Sequence, residues 1–226
     1  NTRRAWVLSK LQSFTSPCAR YLEVGIGCGV YTEWMARHGF VTGLDINEDF
    51  VLAANFLRNV DARVGDITQE TKYDSEFDIA VCSEVIEHVV NSQAALNNMF
   101  RALKSNGLLI LTTPNRFSTM ELFARLLRFK PVSALARWVY GEPVDDLGHV
   151  NRLTRAALRK QIEMAGFEVV ERYDVALYLP VVAEFGGSLG ASVCRWGAEV
   201  LRRSDYLSHL LWTQCWVLRK PAYADV

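Results

Sequence analysis

The 226-residue chain has no net charge, because 25 lysines and arginines balance 25 aspartates and glutamates. That balance argues against a partner recognised through bulk basicity, nucleic acid above all. Cysteine is sparse and unpatterned. Cys18, Cys28, Cys82, Cys194 and Cys215 are odd in number and include no C-x-x-C pair, which leaves neither a zinc ribbon nor a disulfide framework. Reduced thiols in a cytoplasmic protein are the expectation. No apolar run approaches the roughly 18 residues of a membrane span, and the nearest, Val175 to Ala183, is short and contains Pro180. Internal repeats and low-complexity tracts are missing as well, which removes the solenoid and disordered-tail readings. No signal peptide is visible, and the chain opens on Asn1 rather than Met, so targeting lies outside what it reports.

What remains is the composition of a globular enzyme, half hydrophobic and about a fifth charged. The length fits one domain over residues 1–226, long enough to bury a core without staples.

From Arg20 to Thr113, short apolar runs alternate with longer amphipathic ones. Tyr21 to Val24, Val41 to Ile46, Ala62 to Val64, Phe77 to Cys82 and Leu108 to Thr112 read as strands. Val30 to His38, Glu48 to Arg58 and Ala94 to Leu103 read as helices between them. Gly39 is placed to close the first helix in a left-handed conformation, and Asn47 to cap the second. Alternation of this kind predicts βαβ units and an α/β fold with a parallel sheet covered on both faces. The second half predicts helices over Thr119 to Tyr140, Thr154 to Ala165 and Leu201 to Leu211, and strands over Phe167 to Val175 and Trp212 to Leu218. About fifty residues separate the fifth and sixth strands, more than a crossover needs. A helical, lid-like insertion at about 115–150 is the expectation, at the sheet edge where a substrate would be covered.

The sharpest local pattern is Glu23-Val24-Gly25-Ile26-Gly27-Cys28-Gly29, directly between a strand and a helix. Glycines there permit a tight turn and the approach of a ligand to main-chain atoms. Asp45 ends the second strand, 20 residues after Gly25, where an acid faces the same crevice and accepts from ribose hydroxyls. Asp66 follows the third strand, where a carboxylate can accept from an adenine amine. A nicotinamide fingerprint would want glycine at the position held by Val30, and a Walker lysine is absent.

Together with Leu44-Asp45, Gly65-Asp66-Ile67, Phe77-Asp78-Ile79-Ala80 and Gly107-Leu108-Leu109-Ile110, the glycine turn resembles the ordered motifs of class I S-adenosylmethionine-dependent methyltransferases. The resemblance is strong over residues 15–115. It continues more loosely through His149 to Glu171, where it is similar to the small-molecule branch and to ubiquinone-pathway O-methyltransferases. It implies a Rossmann-like seven-stranded, mostly parallel sheet with the last strand antiparallel, and seven strands are countable here. It also implies that Gly25, Gly27 and Gly29 pass the methionine part of the cofactor and that Glu23 orients it. Asp45 would hold the ribose, Asp66 and the Ile67 backbone the adenine, and the Ser83 carbonyl the methionine amine.

Methyl transfer needs alignment and the exclusion of water, and a general base only when the acceptor carries a proton. Glu84, Glu87 and His88 follow the fourth strand at i, i+3 and i+4, so that on a helical turn they would share one face. Histidine suits the base role, with His88 first and His149 second. His38 and His209 read as structural. By the same family resemblance, Glu84, Glu87, His88 and His149 could instead hold a divalent metal that polarises the acceptor oxygen.

Arg116, Arg125, Arg128, Lys130 and Arg137 stand among Phe117, Phe123, Phe129, Trp138 and Tyr140, against the single acid Glu121. Such a segment fits a lid, a small-molecule or lipid-linked acceptor, or peripheral contact with a membrane. Three other readings of the sheet stay open: a nicotinamide oxidoreductase, an aminopropyl transferase, and a non-catalytic cofactor-binding regulatory partner.

Overall fold

Tyr21 and Leu22 are adjacent in sequence, both fully buried, and belong to different hydrophobic cores. The period of two along a strand produces this: successive side chains point to opposite faces of the sheet, so a run of apolar residues requires cover on both sides. Ile79, Ala80, Val81 and Cys82 repeat the alternation, as do Leu109, Ile110 and Leu111.

The computed structural model describes residues 2–69, 73–126, 150–151, 153–179, 182 and 185–222. Strands β1 (Ala19–Val24), β2 (Gly39–Asp45), β3 (Val60–Val64) and β4 (Phe77–Ser83) come from the first half. They are joined by β5 (Leu103–Pro114), β6 (Glu168–Val175) and β7 (Thr213–Arg219). The seven strands form one sheet in the order β3-β2-β1-β4-β5-β7-β6. All neighbours are parallel except β7, which runs antiparallel to both β5 and β6. The predicted fold class therefore holds, including the antiparallel last strand. Strand order reverses between β1 and β4, which opens a crevice at their carboxyl ends.

On one face, α1 (Thr2–Phe14) contributes Trp6, Val7 and Leu11, and α2 (Thr32–Ala36) contributes Met35 and Ala36. On the other, α4 (Ser92–Ala102) buries Leu96 and Met99, and α6 (Arg155–Met164) buries Leu158 and Ile162. Between these in chain order, α3 (Glu48–Ala54) packs Val51 and Ala54 on Ile26 and Ala62, and α5 (Thr119–Leu126) follows β5. Asn47 caps α3 as predicted, accepting from the Asp49 N–H, and Thr154 caps α6, accepting from the Ala157 N–H. Gly166 is left-handed after α6, with φ +94°.

Several sequence expectations are corrected. The helix expected over Val30 to His38 is the five residues of α2, and Gly39 opens β2 rather than capping that helix. A Cβ on Gly39 would sit 2.0 Å from the Ala19 carbonyl oxygen, so glycine is required there by backbone approach. The helix expected over Leu201 to Leu211 is displaced to α7 (Gly187–Arg202), followed by a 3-10 turn at Leu207–Leu210. α1 has a weak apolar pattern and was not anticipated. Of the helix expected over Thr119 to Tyr140, α5 covers the start, and residues 127–149, which include His149, lie outside the described residues.

Candidate functional site

The glycine turn has the conformation its residues require. Gly25, Gly27 and Gly29 adopt φ of +76°, +51° and +71°, in the left-handed region where L side chains are strained. Above Gly27 a Cβ would meet nothing within 4 Å, so the turn presents main chain to open space. Asp45, at the end of β2, holds the turn in place. Its Oδ2 accepts the Gly27 N–H at 2.9 Å, and its Oδ1 accepts the Asn47 N–H at 2.9 Å.

Around that turn lies a cleft of about 460 Å³ at the carboxyl ends of β1, β2 and β4. Of the residues singled out from sequence, Gly25, Gly27, Asp45, Asp66, Ile67, Ser83 and His88 line it, and Glu84 joins them. Gly29 lines a smaller cavity on the other side of the turn. Glu23 lies beneath the turn, buried, with its carboxylate accepting the Thr32 hydroxyl. Burial, only partly offset by that hydrogen bond and reinforced by nearby Asp45, pushes the Glu23 carboxyl up to about 8.

Asp66 is held by its own turn. The Thr68 N–H and hydroxyl both donate to Oδ1 at 2.8 Å, and the Gln69 amide donates to Oδ2. Burial pushes this carboxyl up, but the three hydrogen bonds outweigh it and hold the group below the usual range. The neighbouring carbonyls of Ile67 and Gln69 accept from the Asn98 amide of α4, which pins the loop after β3.

The segment after β4 is a turn rather than a helix, so Glu84, Glu87 and His88 do not share a face. Glu84 has φ +58°, accepts the Thr112 hydroxyl and pairs with Arg3 of α1 at 2.7 Å. Glu87 is buried, accepts the Thr113 hydroxyl at 2.9 Å, and receives the Asn151 N–H on its backbone carbonyl. His88 alone of the three is exposed, at the rim of the cleft. Among the described residues no three His, Cys, Asp or Glu converge as a metal site. The divergence of Glu84 and Glu87 does not fit the four-ligand arrangement, and its fourth member, His149, is outside the described residues.

His38 stacks on Trp34 and bonds its carbonyl, away from the cleft. His209 lies edge-on to Tyr206, its pKa lowered by burial and then by Arg155. Sequence reasoning missed the apolar walls of the cleft, Ile46, Phe50, Val85 and Val89. Ile46 carried a usable signal, as an apolar residue in the position after the strand-ending acid, and it is 80% exposed.

Residues 4–172 match the methyltransferase-domain family. The chain belongs to that family, as a class I S-adenosylmethionine-dependent methyltransferase. A ubiquinone biosynthesis O-methyltransferase of Coxiella burnetii is 35% identical over 111 residues, which cover 46% of this chain and 47% of that one. A namesake from Rickettsia typhi is 33% identical over 107 residues, 45% of this chain and 44% of its own. The matched region thus spans about half the length of these curated relatives. Among solved structures, the N-methyltransferase NodS of Bradyrhizobium japonicum, in complex with S-adenosyl-L-homocysteine, superposes with a TM-score of 0.58 at 18% identity, covering 97% of this chain and 86% of that one. The [4+2]-cyclase SpnF superposes at 0.62 and 18% identity over 96% and 80%. At such identities the likeness is one of fold.

The methyltransferase's cleft fits the family's cofactor on its own observations. A left-handed glycine turn leaves main chain open, two carboxylates stand at the ends of β2 and β3, and an exposed apolar side chain lies beside them. No helix among the described residues is long and apolar enough to cross a membrane.

Proposed function

We propose that this protein transfers a methyl group from S-adenosylmethionine to the oxygen of a small-molecule acceptor, and that His88 is the general base. When bound, the cofactor supplies a methyl group made electrophilic by a positively charged sulfur. The chain's own residues would bind, orient and keep dry. Gly25, Gly27 and Gly29 would pass the methionine part, and the Ser83 carbonyl would accept from its amine. Asp45 would accept from the ribose hydroxyls with the lone pairs left by Gly27 and Asn47, and Asp66 with the Ile67 N–H would read the adenine. Phe50, Val85 and Val89 would exclude water from the transfer axis. Glu23, buried under the turn, would act as a positioning residue through Thr32, and Glu87 likewise through Thr113.

The observation that carries this reading is that the exposed His88 lines the same cleft as Gly25, Asp45 and Asp66. An imidazole titrates near neutral pH and can take the proton of a phenolic or alcoholic acceptor as its oxygen attacks. Support for oxygen over nitrogen comes from the Coxiella and Rickettsia relatives, whose names state O-methylation in ubiquinone biosynthesis. That likeness also favours a phenolic, lipid-linked acceptor.

The test is calorimetric titration with S-adenosylhomocysteine and with NADH, followed by transfer of labelled methyl to a catechol. The expected result is micromolar binding of S-adenosylhomocysteine and none of NADH. His88→Ala should lower turnover on the order of a hundredfold with cofactor affinity unchanged. NADH binding overturns the reaction class, and a fully active His88→Ala overturns the base.

A further inference from the structure

The helix α7 is barely packed. Of its 16 residues only Gly190 and Ala198 are buried. It touches the domain through Arg202, which bonds the Asp174 carbonyl and lies over the Tyr173 ring, and through its small residues: a Cβ on Gly190 would sit 2.0 Å from the Val182 carbonyl oxygen, and one on Gly197 would sit 2.7 Å from Leu177. Docking through glycine leaves the larger side chains outside. Leu189, Val193, Trp196 and Val200 recur at intervals of four, three and four, so they form one stripe about 16 Å long. All four are exposed, Leu189 by 75% and Trp196 by 69%. A helix this short draws its stability mainly from the burial of an apolar face, and here the described residues leave the stripe exposed.

We propose that this stripe of α7 is a membrane-docking surface that lies in the headgroup region of an anionic bilayer. Apolar and aromatic residues on one face with arginines at its border are the pattern of an interfacial helix. Among the described residues, Arg195 bonds the Ser192 hydroxyl and no acid, and Arg203, at the C-terminal cap of the helix, makes no ion pair. The acids nearby are already engaged, Glu199 by Arg202 and Asp205 by Arg172. These two guanidinium groups, with no acid paired to them among the described residues, would take lipid phosphates while the acyl boundary takes the stripe. A second copy of the chain fits less well. It would bring the same two unpaired arginines and the same engaged acids, and one helical stripe falls short of the roughly 1,600 Å² of a standard interface. The surface is independent of the reaction proposed above, so its test needs no acceptor.

The whole chain is floated with vesicles of phosphatidylcholine alone and of phosphatidylcholine with phosphatidylglycerol, while tryptophan emission is recorded. The expected result is binding to the anionic vesicles, with a blue shift that Trp196→Phe removes. Leu189→Glu with Trp196→Glu should abolish binding, and Arg195→Ala or Arg203→Ala should each weaken it about fivefold. Phe56→Glu, at an exposed aromatic elsewhere on the surface, is the control and should bind as the parent does. Unchanged affinity for S-adenosylhomocysteine shows that each variant is folded. Absence of vesicle binding by the parent, or binding that survives the double substitution, overturns the proposal. A dimer in light scattering that Trp196→Glu dissociates, without vesicle binding, gives the stripe to a second copy instead.

Discussion

The Oδ2 atom of Asp45 accepts the backbone N–H of Gly27 at 2.9 Å, so the acid assigned to the ribose is also the clamp on the glycine turn. Its other oxygen caps the Asn47 N–H. One carboxylate thus couples the shape of the turn to the hydroxyls it is proposed to bind.

Removing it should therefore act twice. Asp45→Ala leaves two backbone donors without their acceptor, which costs roughly 1–3 kcal/mol of stability. S-adenosylhomocysteine affinity should fall about a hundredfold, since charge-assisted hydrogen bonds to the ribose and the preset turn are lost together. Calorimetric titration beside thermal unfolding checks both. Lost stability with unchanged affinity would leave Asp45 a turn clamp only.

Glu23 gives a pH signature. Its carboxyl is raised to about 8 when folded, against 4.5 for the free group, so the folded state holds a proton that the unfolded state releases. Stability from this group is fully present below about 4.5 and is lost as pH rises towards 8. Glu23→Gln keeps the shape and removes the titration. It should flatten the fall in Tm across that window and leave the variant more stable than the parent at pH 8. Parallel Tm profiles for the two proteins would show that Glu23 does not titrate in this way.

Gly25 is constrained by conformation and by space. A Cβ there would lie 2.2 Å from Val85 Cγ2, at a φ of +76°. Gly25→Ala should lose about 2 kcal/mol from backbone strain alone and more from the overlap, and it should weaken cofactor binding. Adding Val85→Ala relieves the overlap and not the strain. Denaturant unfolding should show partial recovery in the double variant, and complete recovery would remove strain from the account.

Arg155 and Asp174 form a buried pair at 2.9 Å, with side chains 11% and 3% exposed. Arg155 also donates to the Ser208 hydroxyl and the Asp205 carbonyl, and Asp174 accepts from Asn115. The pair joins α6, β6 and the segment before β7. Asp174→Leu alone should cost roughly 3–5 kcal/mol, because it strands a buried guanidinium. Arg155→Met with Asp174→Leu should recover most of that in denaturant unfolding.

Much of this was legible in the sequence, for reasons visible at particular residues. Period-two runs such as Phe77 to Cys82 are buried on both faces, so their apolar continuity announced a central parallel strand. Gly25, Asp45 and Asp66 were legible because a tight turn and two strand-ending acids have fixed spacing along the chain. The arrangement of Glu84, Glu87 and His88 was not. Helical spacing is a statement about helices, and Glu84 leaves β4 with a positive φ that turns the three apart. Nor could the sequence show the Asn98 amide pinning the Ile67 loop, because 31 residues separate them and only the fold brings them together. α7 was hidden for a related reason, since Gly186, Gly190 and Gly197 argue against a helix until close packing explains them, and Gly187 until its φ of +53° does.

The reversal of strand order at β1 and β4 gathers the residues proposed for the cofactor on one side of the sheet. Every residue assigned to the cofactor precedes position 90, and the β5-β7-β6 flank meets that half along one parallel seam, β4 on β5. If donor handling is confined to one side of that seam, substitutions on β6 and β7 should leave S-adenosylhomocysteine affinity as it is in the parent, which makes the seam a boundary that can be mapped by binding alone.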